Sequence, residues 1–319
     1  MVEPNTTDIR RIGVIGAGTI GAGWVAYFLA KGFDVAVSDP APEAPDHVRR
    51  VIEGAWPILT RMGLASDASP TRWRFHADPV VAVDGCDFVQ ENAPERYEIK
   101  VPLLLRLDSA LPREVVIASS SSGLLISRLQ ERCNFPERCV IGHPFNPAHI
   151  VPLVEVVGGL KTGHAAIDTA MRFYKSIGKH PILIRREVPG HLANRLQAAL
   201  WREAVHLVAE GVASVADIDA AISEGPGLRW ALMGPHLTFA LAGGTGGMAH
   251  YMNHLAPAMV SWWQSLGNPT LTPELQQKLV DGVAAETGGR PIAELERERD
   301  AMLARIIELR RDGANTIEG

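Results

Sequence analysis

His143 and Glu155 stand twelve residues apart in the run IGHPFNPAHIVPLVEVV, residues 141–157. The run is apolar and punctuated by prolines, and an unpaired carboxylate in such surroundings is costly, so Glu155 calls for a partner. His143 is the candidate. A histidine can take the proton of an alcohol while a hydride leaves the same carbon, because its ordinary pKa lies near working pH. A carboxylate beside it orients the ring and stabilises the imidazolium that forms. The two residue types together point to oxidation of a secondary alcohol, His143 acting as base and Glu155 as its charge partner.

A departing hydride needs an acceptor, and the start of the chain carries the mark of one. GVIGAGTIG, residues 13–21, places Gly16, Gly18 and Gly21 in G-x-G-x-x-G spacing, directly after a strand-like run and directly before a helix-like one. The glycines allow a tight turn, close approach of backbone to a pyrophosphate, and tight strand–helix packing, while the helix N-terminus favours the phosphate charge. Asp39 ends the next strand-like run, 23 positions after Gly16. An acidic side chain there can bind both ribose hydroxyls and repels a 2′-phosphate, so the expected cofactor is NAD and not NADP.

These residues need a scaffold that brings strand ends together. From Arg11 to about Arg186, strand-like runs alternate with helical stretches: RIGVIG, DVAVSD, DFVQEN, EVVIASSSS, RCVIGH and HPILIRR. Strands apolar on both faces and separated by helices predict an α/β unit, a Rossmann-type and mostly parallel sheet covered by helices. Both SSSS, residues 119–122, and His143 follow such runs, which puts them at the carboxyl edge where ligands bind in open sheets. After EVPG the strand-like runs cease and the chain reads as helices, the first of them HLANRLQAALWREAVHLVAEG, closed by Gly211. We therefore expect residues 1–188 to form the NAD-binding domain and residues 189–319 an all-α domain. The terminal amphipathic segment PIAELERERDAMLARIIELRRDG carries a solvated charged face.

Bulk properties fit this scheme. A chain of 319 residues is long for one hydrophobic core. Charged residues at 21% with a net charge of −5 form no basic stripe for nucleic acid and no polybasic membrane patch. The uncharged stretch from Ile12 to Ala30 is glycine-broken and reads as strand, turn and helix rather than a membrane span. Three cysteines without CxxC spacing suit a reducing, cytoplasmic setting. His250 and His254 have helical i, i+4 spacing but no HExxH and no further ligand pattern, so no metal is expected. The serine cluster lacks a G-x-S-x-G elbow, which sets a hydrolase triad aside. LAGGTGGMAH lacks the Lys-Ser or Lys-Thr of a phosphate loop.

The glycine fingerprint, QENAPERYEIK, SSSSGL, GHPFNP, PLVEVV and EVPGHLANRL, in this order, resemble the 3-hydroxyacyl-CoA dehydrogenases and their relatives acting on other 3-hydroxy acids. The resemblance implies that Ser122 and Asn194 hydrogen-bond the substrate beside His143 and Glu155, and that Glu95 and Lys100 lie near the nicotinamide ribose. It also implies a homodimer, with residues 189–319 serving substrate binding and dimerisation. Many members read SNTS where this chain has Ser119 to Ser122, so Ser120 stands on the cofactor side without that asparagine's amide. ALWREA, GPGLRWALMG and LTFALAGGTGGMAHYM resemble members of the family that act on carnitine, ahead of those acting on acyl-CoA or L-gulonate. A quaternary ammonium cannot donate a hydrogen bond and is held by aromatic faces. That makes Trp230 and Tyr251 the candidates for the cation and Arg229, with its planar fork, the candidate for the carboxylate. An NAD-binding relative without catalysis, serving as a structural protein, is the reading of another class; the intact His143 and Glu155 weigh against it.

Overall fold

A computed structural model describes residues 9–317, with side chains through residue 313. The chain divides into two compact units between Arg195 and Leu196. In the first, β1 (Arg11–Ile15), α1 (Thr19–Ala30), β2 (Asp34–Ser38), α2 (Ala44–Met62), β3 (Trp73–His76) and α3 (Pro79–Val83) form one run of alternating elements. It continues through β4 (Phe88–Glu91), α4 (Tyr97–Ala110), β5 (Val116–Ser119), α5 (Ile126–Leu129), β6 (Cys139–Pro144), β7 (Leu153–Gly158), α6 (His164–Ser176) and β8 (His180–Ile184).

The strands make one sheet in the order β3-β2-β1-β4-β5-β6-β7-β8. Crossing from β3 to β1 and back out from β4 leaves a switch point between β1 and β4, the place where open α/β sheets bind ligands. All pairings are parallel except β6 with β7. That exception has a cause in chain length. Residues 145–152 join the two strands, and a parallel return needs a crossover of a dozen residues or more. Each of the six strand-like runs forms a strand. β3, with Arg74 in a four-residue edge strand, carries no apolar run by which the sequence could announce it.

The uncharged stretch 12–30 is buried for a reason of packing. β1 lies inside the sheet, and every residue of α1 from Gly21 to Ala30 is buried. Trp24 stacks on Phe28 at 4.9 Å between ring centroids, and Phe28 meets Phe173 of α6 at 6.0 Å. Each such aromatic side chain contributes on the order of 2–3 kcal/mol of burial. Among the described residues, no helix is long and apolar enough to cross a membrane.

The second unit is helical: most of α7 (Ala193–Ala209), then α8 (Val215–Ser223), α9 (Pro226–Trp230), α10 (Pro235–Ala242), α11 (Gly247–His254), α12 (Ala256–Trp263), α13 (Pro273–Thr287) and α14 (Ile292–Ile317). Its helix ends follow local chemistry. Ser214 and Thr272 accept hydrogen bonds from the backbone N–H of Asp217 and Leu275 as N-caps, and Gly288 closes α13 in the left-handed region. The core is small, built on Val205, Val208, Ile218 and Leu275, while Trp201, Trp262 and Trp263 are each more than half exposed.

Candidate active site

The glycine turn follows β1. Gly16 has φ of +91°, and a Cβ on it would stand 2.6 Å from the backbone of Asn92. A Cβ on Gly21 would meet the carbonyl oxygen of Gly16 at 1.9 Å, so strand and helix touch there. Around Gly18 there is open space within 4 Å. No protein neighbour requires glycine at that position; a pyrophosphate lying against the backbone would. Gly18 caps α1 without a side-chain hydrogen bond, which leaves first-turn N–H groups for an anion.

Asp39 sits just past β2, half-buried, and its carboxylate accepts from the N–H of Ala17 at 2.7 Å and of Ala41 at 2.9 Å. The glycine turn thus holds the acidic side chain in place. Gly16 and Asp39 line one cavity together with Pro40, Pro94, Ile99 and Leu103, an apolar slot suited to the flat adenine ring. If Asp39 binds the adenosine ribose, NAD outperforms NADP strongly and Asp39→Ala narrows the preference. Initial rates with the two cofactors measure this. Equal use of both by the parent protein would refute the assignment.

β4 and β5 end in a buried polar cluster. Glu91 receives two hydrogen bonds from Lys100 Nζ at 2.8 and 3.0 Å, one from Ser119 Oγ at 2.5 Å and one from the Ala93 N–H at 2.6 Å. Lys100, expected at the nicotinamide ribose, is instead 1% exposed, its ammonium taken up by Glu91. Ser120 Oγ donates to Asn92 Oδ1 at 2.6 Å and accepts from Gln90 Nε2 at 2.8 Å. An asparagine amide therefore does stand beside the cofactor turn, supplied by β4's end rather than by the serine segment. Glu95 Oε1 accepts from Ser121 Oγ at 2.7 Å and from the Gly123 N–H at 2.8 Å, which fixes the serine loop.

Antiparallel pairing of β6 with β7 makes His143 and Glu155 direct cross-strand neighbours. His143 Nδ1 lies 2.8 Å from Glu155 Oε2. Because a carboxylate only accepts, Nδ1 donates to Glu155, which leaves Nε2 as the nitrogen that can exchange a proton with a substrate. Glu155 Oε1 accepts from the backbone N–H of Leu192 at 3.0 Å and Ala193 at 2.8 Å. Burial pushes the Glu155 carboxyl up, but the bonds from His143, Ala193 and Leu192 outweigh it and hold it below the usual carboxylate value. It stays ionised at neutral pH.

Asn194 Nδ2 donates to the Ser122 carbonyl at 3.2 Å, while the Ser122 residue itself is exposed. The structure thus joins Ser122 with Asn194 and His143 with Glu155. His191, which no sequence signal marked, lies between these pairs. Its backbone is left-handed, φ +50°, and its ring stands 5.4 Å from that of His143.

In the second unit, Arg229 and Trp230 are neighbours at the end of α9, both exposed. Tyr251 differs from expectation. It is buried, stacked on Phe239 at 4.9 Å, with its hydroxyl on Met259 Sδ, so its ring has little surface left for a ligand. His250 and His254 touch edge to face, and among the described residues no group of three or more metal-ligating side chains exists.

The doubly wound sheet, the glycine turn with Asp39, and a His–Glu pair at the strand ends define an NAD-dependent dehydrogenase. Residues 11–188 match the 3-hydroxyacyl-CoA dehydrogenase NAD-binding domain and residues 190–286 the C-terminal domain of the same enzymes. The chain belongs to the 3-hydroxyacyl-CoA dehydrogenase family. An L-carnitine dehydrogenase of Streptomyces coelicolor is 52% identical over 94% of this chain and 94% of its own length. One from a Pseudomonas species is 48% identical over 96% and 95%. Among solved structures, FHMPC 5-dehydrogenase, an NAD+-dependent dismutase, superposes with a TM-score of 0.82 at 31% identity, covering 95% of this chain and 99% of its own.

Proposed function

We propose that the chain oxidises L-carnitine to 3-dehydrocarnitine with NAD. The observation that carries the chemistry is the His143–Glu155 pair, held at 2.8 Å with Nε2 left free to accept a proton. The substrate reading rests on the relatives named L-carnitine dehydrogenase, about half identical along almost the whole chain.

In this reading His143 Nε2 takes the C3 hydroxyl proton as the C3 hydride departs. Glu155 stabilises the imidazolium and, pinned by two backbone N–H groups, cannot swing away as the charge develops. Ser122 and Asn194 hold the substrate oxygen. NAD, when bound, accepts the hydride; Gly16, Gly18 and Gly21 take its pyrophosphate, Asp39 its adenosine ribose, and Glu95 and Ser120 border its nicotinamide half. Arg229 binds the carboxylate and Trp230 offers an aromatic face to the trimethylammonium.

NADH formation from L-carnitine, D-carnitine, L-gulonate and 3-hydroxybutyryl-CoA tests the substrate. Only L-carnitine should be oxidised efficiently. Preference for the sugar acid or the acyl-CoA would move the reading to those enzymes, and NAD binding without any turnover would make the chain a non-catalytic binder. A neutral tert-butyl analogue should bind more weakly than carnitine by about 1–2 kcal/mol if the aromatic face is desolvated. Equal affinity in competition at one NAD concentration removes that face from the account.

We assign residues 189–319 to substrate binding and dimerisation. The exposed Trp201, Trp262 and Trp263 supply apolar surface that a two-fold partner would cover. Light scattering at micromolar concentration should give a dimer mass; a monomer alone refutes this. The three cysteines are free thiols, in keeping with a cytoplasmic location, which cell fractionation checks.

A further inference from the structure

His191 is 1% exposed, and its ring meets both the serine loop, at the Ser121 carbonyl, and the ring of His143. Its Nε2 lies 2.8 Å from the carbonyl oxygen of Ser121. A carbonyl can only accept, so Nε2 carries a proton, and in the neutral ring Nδ1 is a buried acceptor with no hydrogen-bond partner. Burial, the largest cause, and the nearby His143 push its pKa down against the Ser121 bond, which keeps it in that neutral form.

The backbone adds a second role. Gly190 at φ +75° and His191 at φ +50° are consecutive left-handed residues. That conformation turns the next two N–H groups, of Leu192 and Ala193, onto Glu155 Oε1 at 3.0 and 2.8 Å. Successive N–H groups converging on one oxygen form an anion-binding nest. For a histidine the left-handed region is unfavourable and persists only where surroundings hold it. Here the Ser121 bond and the packing against the His143 ring, 5.4 Å away, do so. One end of the residue therefore orients the carboxylate behind the base, and the other end fixes the serine loop that carries Ser122.

We propose that His191 is a positioning residue for hydride transfer: it holds Glu155 through its backbone and the serine loop through its ring, and so sets the base and the substrate contacts in one geometry. This rests on the reading of His143 as base. It asks nothing of the carnitine assignment, because any 3-hydroxy acid oxidised at this site would need the same alignment.

The test compares His191→Phe, His191→Asn and His191→Gly with the parent and with His143→Ala, all checked by melting temperature and by direct NAD titration. Phenylalanine keeps a ring but loses the Ser121 bond and disfavours the left-handed backbone. Its kcat should fall by about 10- to 100-fold, the scale of a misplaced reacting group, with NAD affinity within about two-fold of the parent. Asparagine tolerates the left-handed region and carries an N–H donor, so it should recover at least several-fold over phenylalanine. Glycine restores the backbone alone and should fall between them.

A His191→Phe enzyme with parental kcat overturns the proposal. So does a folded asparagine variant no better than the phenylalanine one, or losses that track melting temperature alone. If His143→Ala stays active, the reading of the base fails; if it is inactive while all His191 variants match the parent, only this inference fails.

Discussion

His143→Ala is expected to lower turnover by about two to four orders of magnitude, the usual range for loss of a general base, while NAD still binds. The separation of the two effects follows from topology. The proposed pyrophosphate and adenosine-ribose contacts, Gly16 to Gly21 and Asp39, belong to the turns after β1 and β2, whereas His143 stands on β6, three strands from β1 in the sheet order. Its ring makes one polar contact of its own, to Glu155, so its removal disturbs nothing that holds the glycine turn. Single-turnover NADH formation and a fluorescence titration with NAD read the two quantities independently. Turnover within a few-fold of the parent would end the assignment of His143 as base, and loss of NAD binding would show that the two halves of the edge are not independent.

That pair was legible in the sequence because its logic is local and chemical: a carboxylate inside an apolar run must be neutralised or paired, and a histidine at a strand end is the nearest partner. The glycine turn was legible because its spacing and its strand–helix context are both written in consecutive residues. β3 was not, since an edge strand with one exposed face and a central arginine has no apolar run. The direction of β7 was open until the length of its connection was weighed. Lys100 and Tyr251 show the limit most clearly. Nothing in QENAPERYEIK says whether a lysine reaches a ligand or turns inward to Glu91, and nothing in MAHYM says that Phe239 will cover the ring of Tyr251. Both depend on a partner distant or unmarked in sequence. His191 is hidden for a further reason: its value lies in a backbone dihedral angle, and a left-handed histidine leaves no trace in a run of residue types.

Glu91→Ala is expected to be the most damaging substitution for stability. Lys100 is 1% exposed and Glu91 is fully buried, and the carboxylate takes up the ammonium at 2.8 and 3.0 Å. Removing one member of a buried ion pair leaves a charge without water or counter-ion, which costs about 3–5 kcal/mol. Here the loss is compounded, because Ser119 Oγ and the Ala93 N–H also donate to Glu91 and would be left without an acceptor. At roughly 2–4 °C per kcal/mol for a unit of this size, melting should fall by on the order of 10 °C. Replacing both partners, Glu91→Leu with Lys100→Met, removes the stranded charge and should recover much of the loss, since apolar substitution of a buried pair is often close to neutral. The double variant would still bind NAD more weakly than the parent, because Ala93, at the turn facing Gly16, loses the carboxylate that accepts its N–H. Thermal melts of the two variants decide it: a single variant within about 1 kcal/mol of the parent would mean that Lys100 finds water or another acceptor, and that the cluster does not hold the cofactor turn.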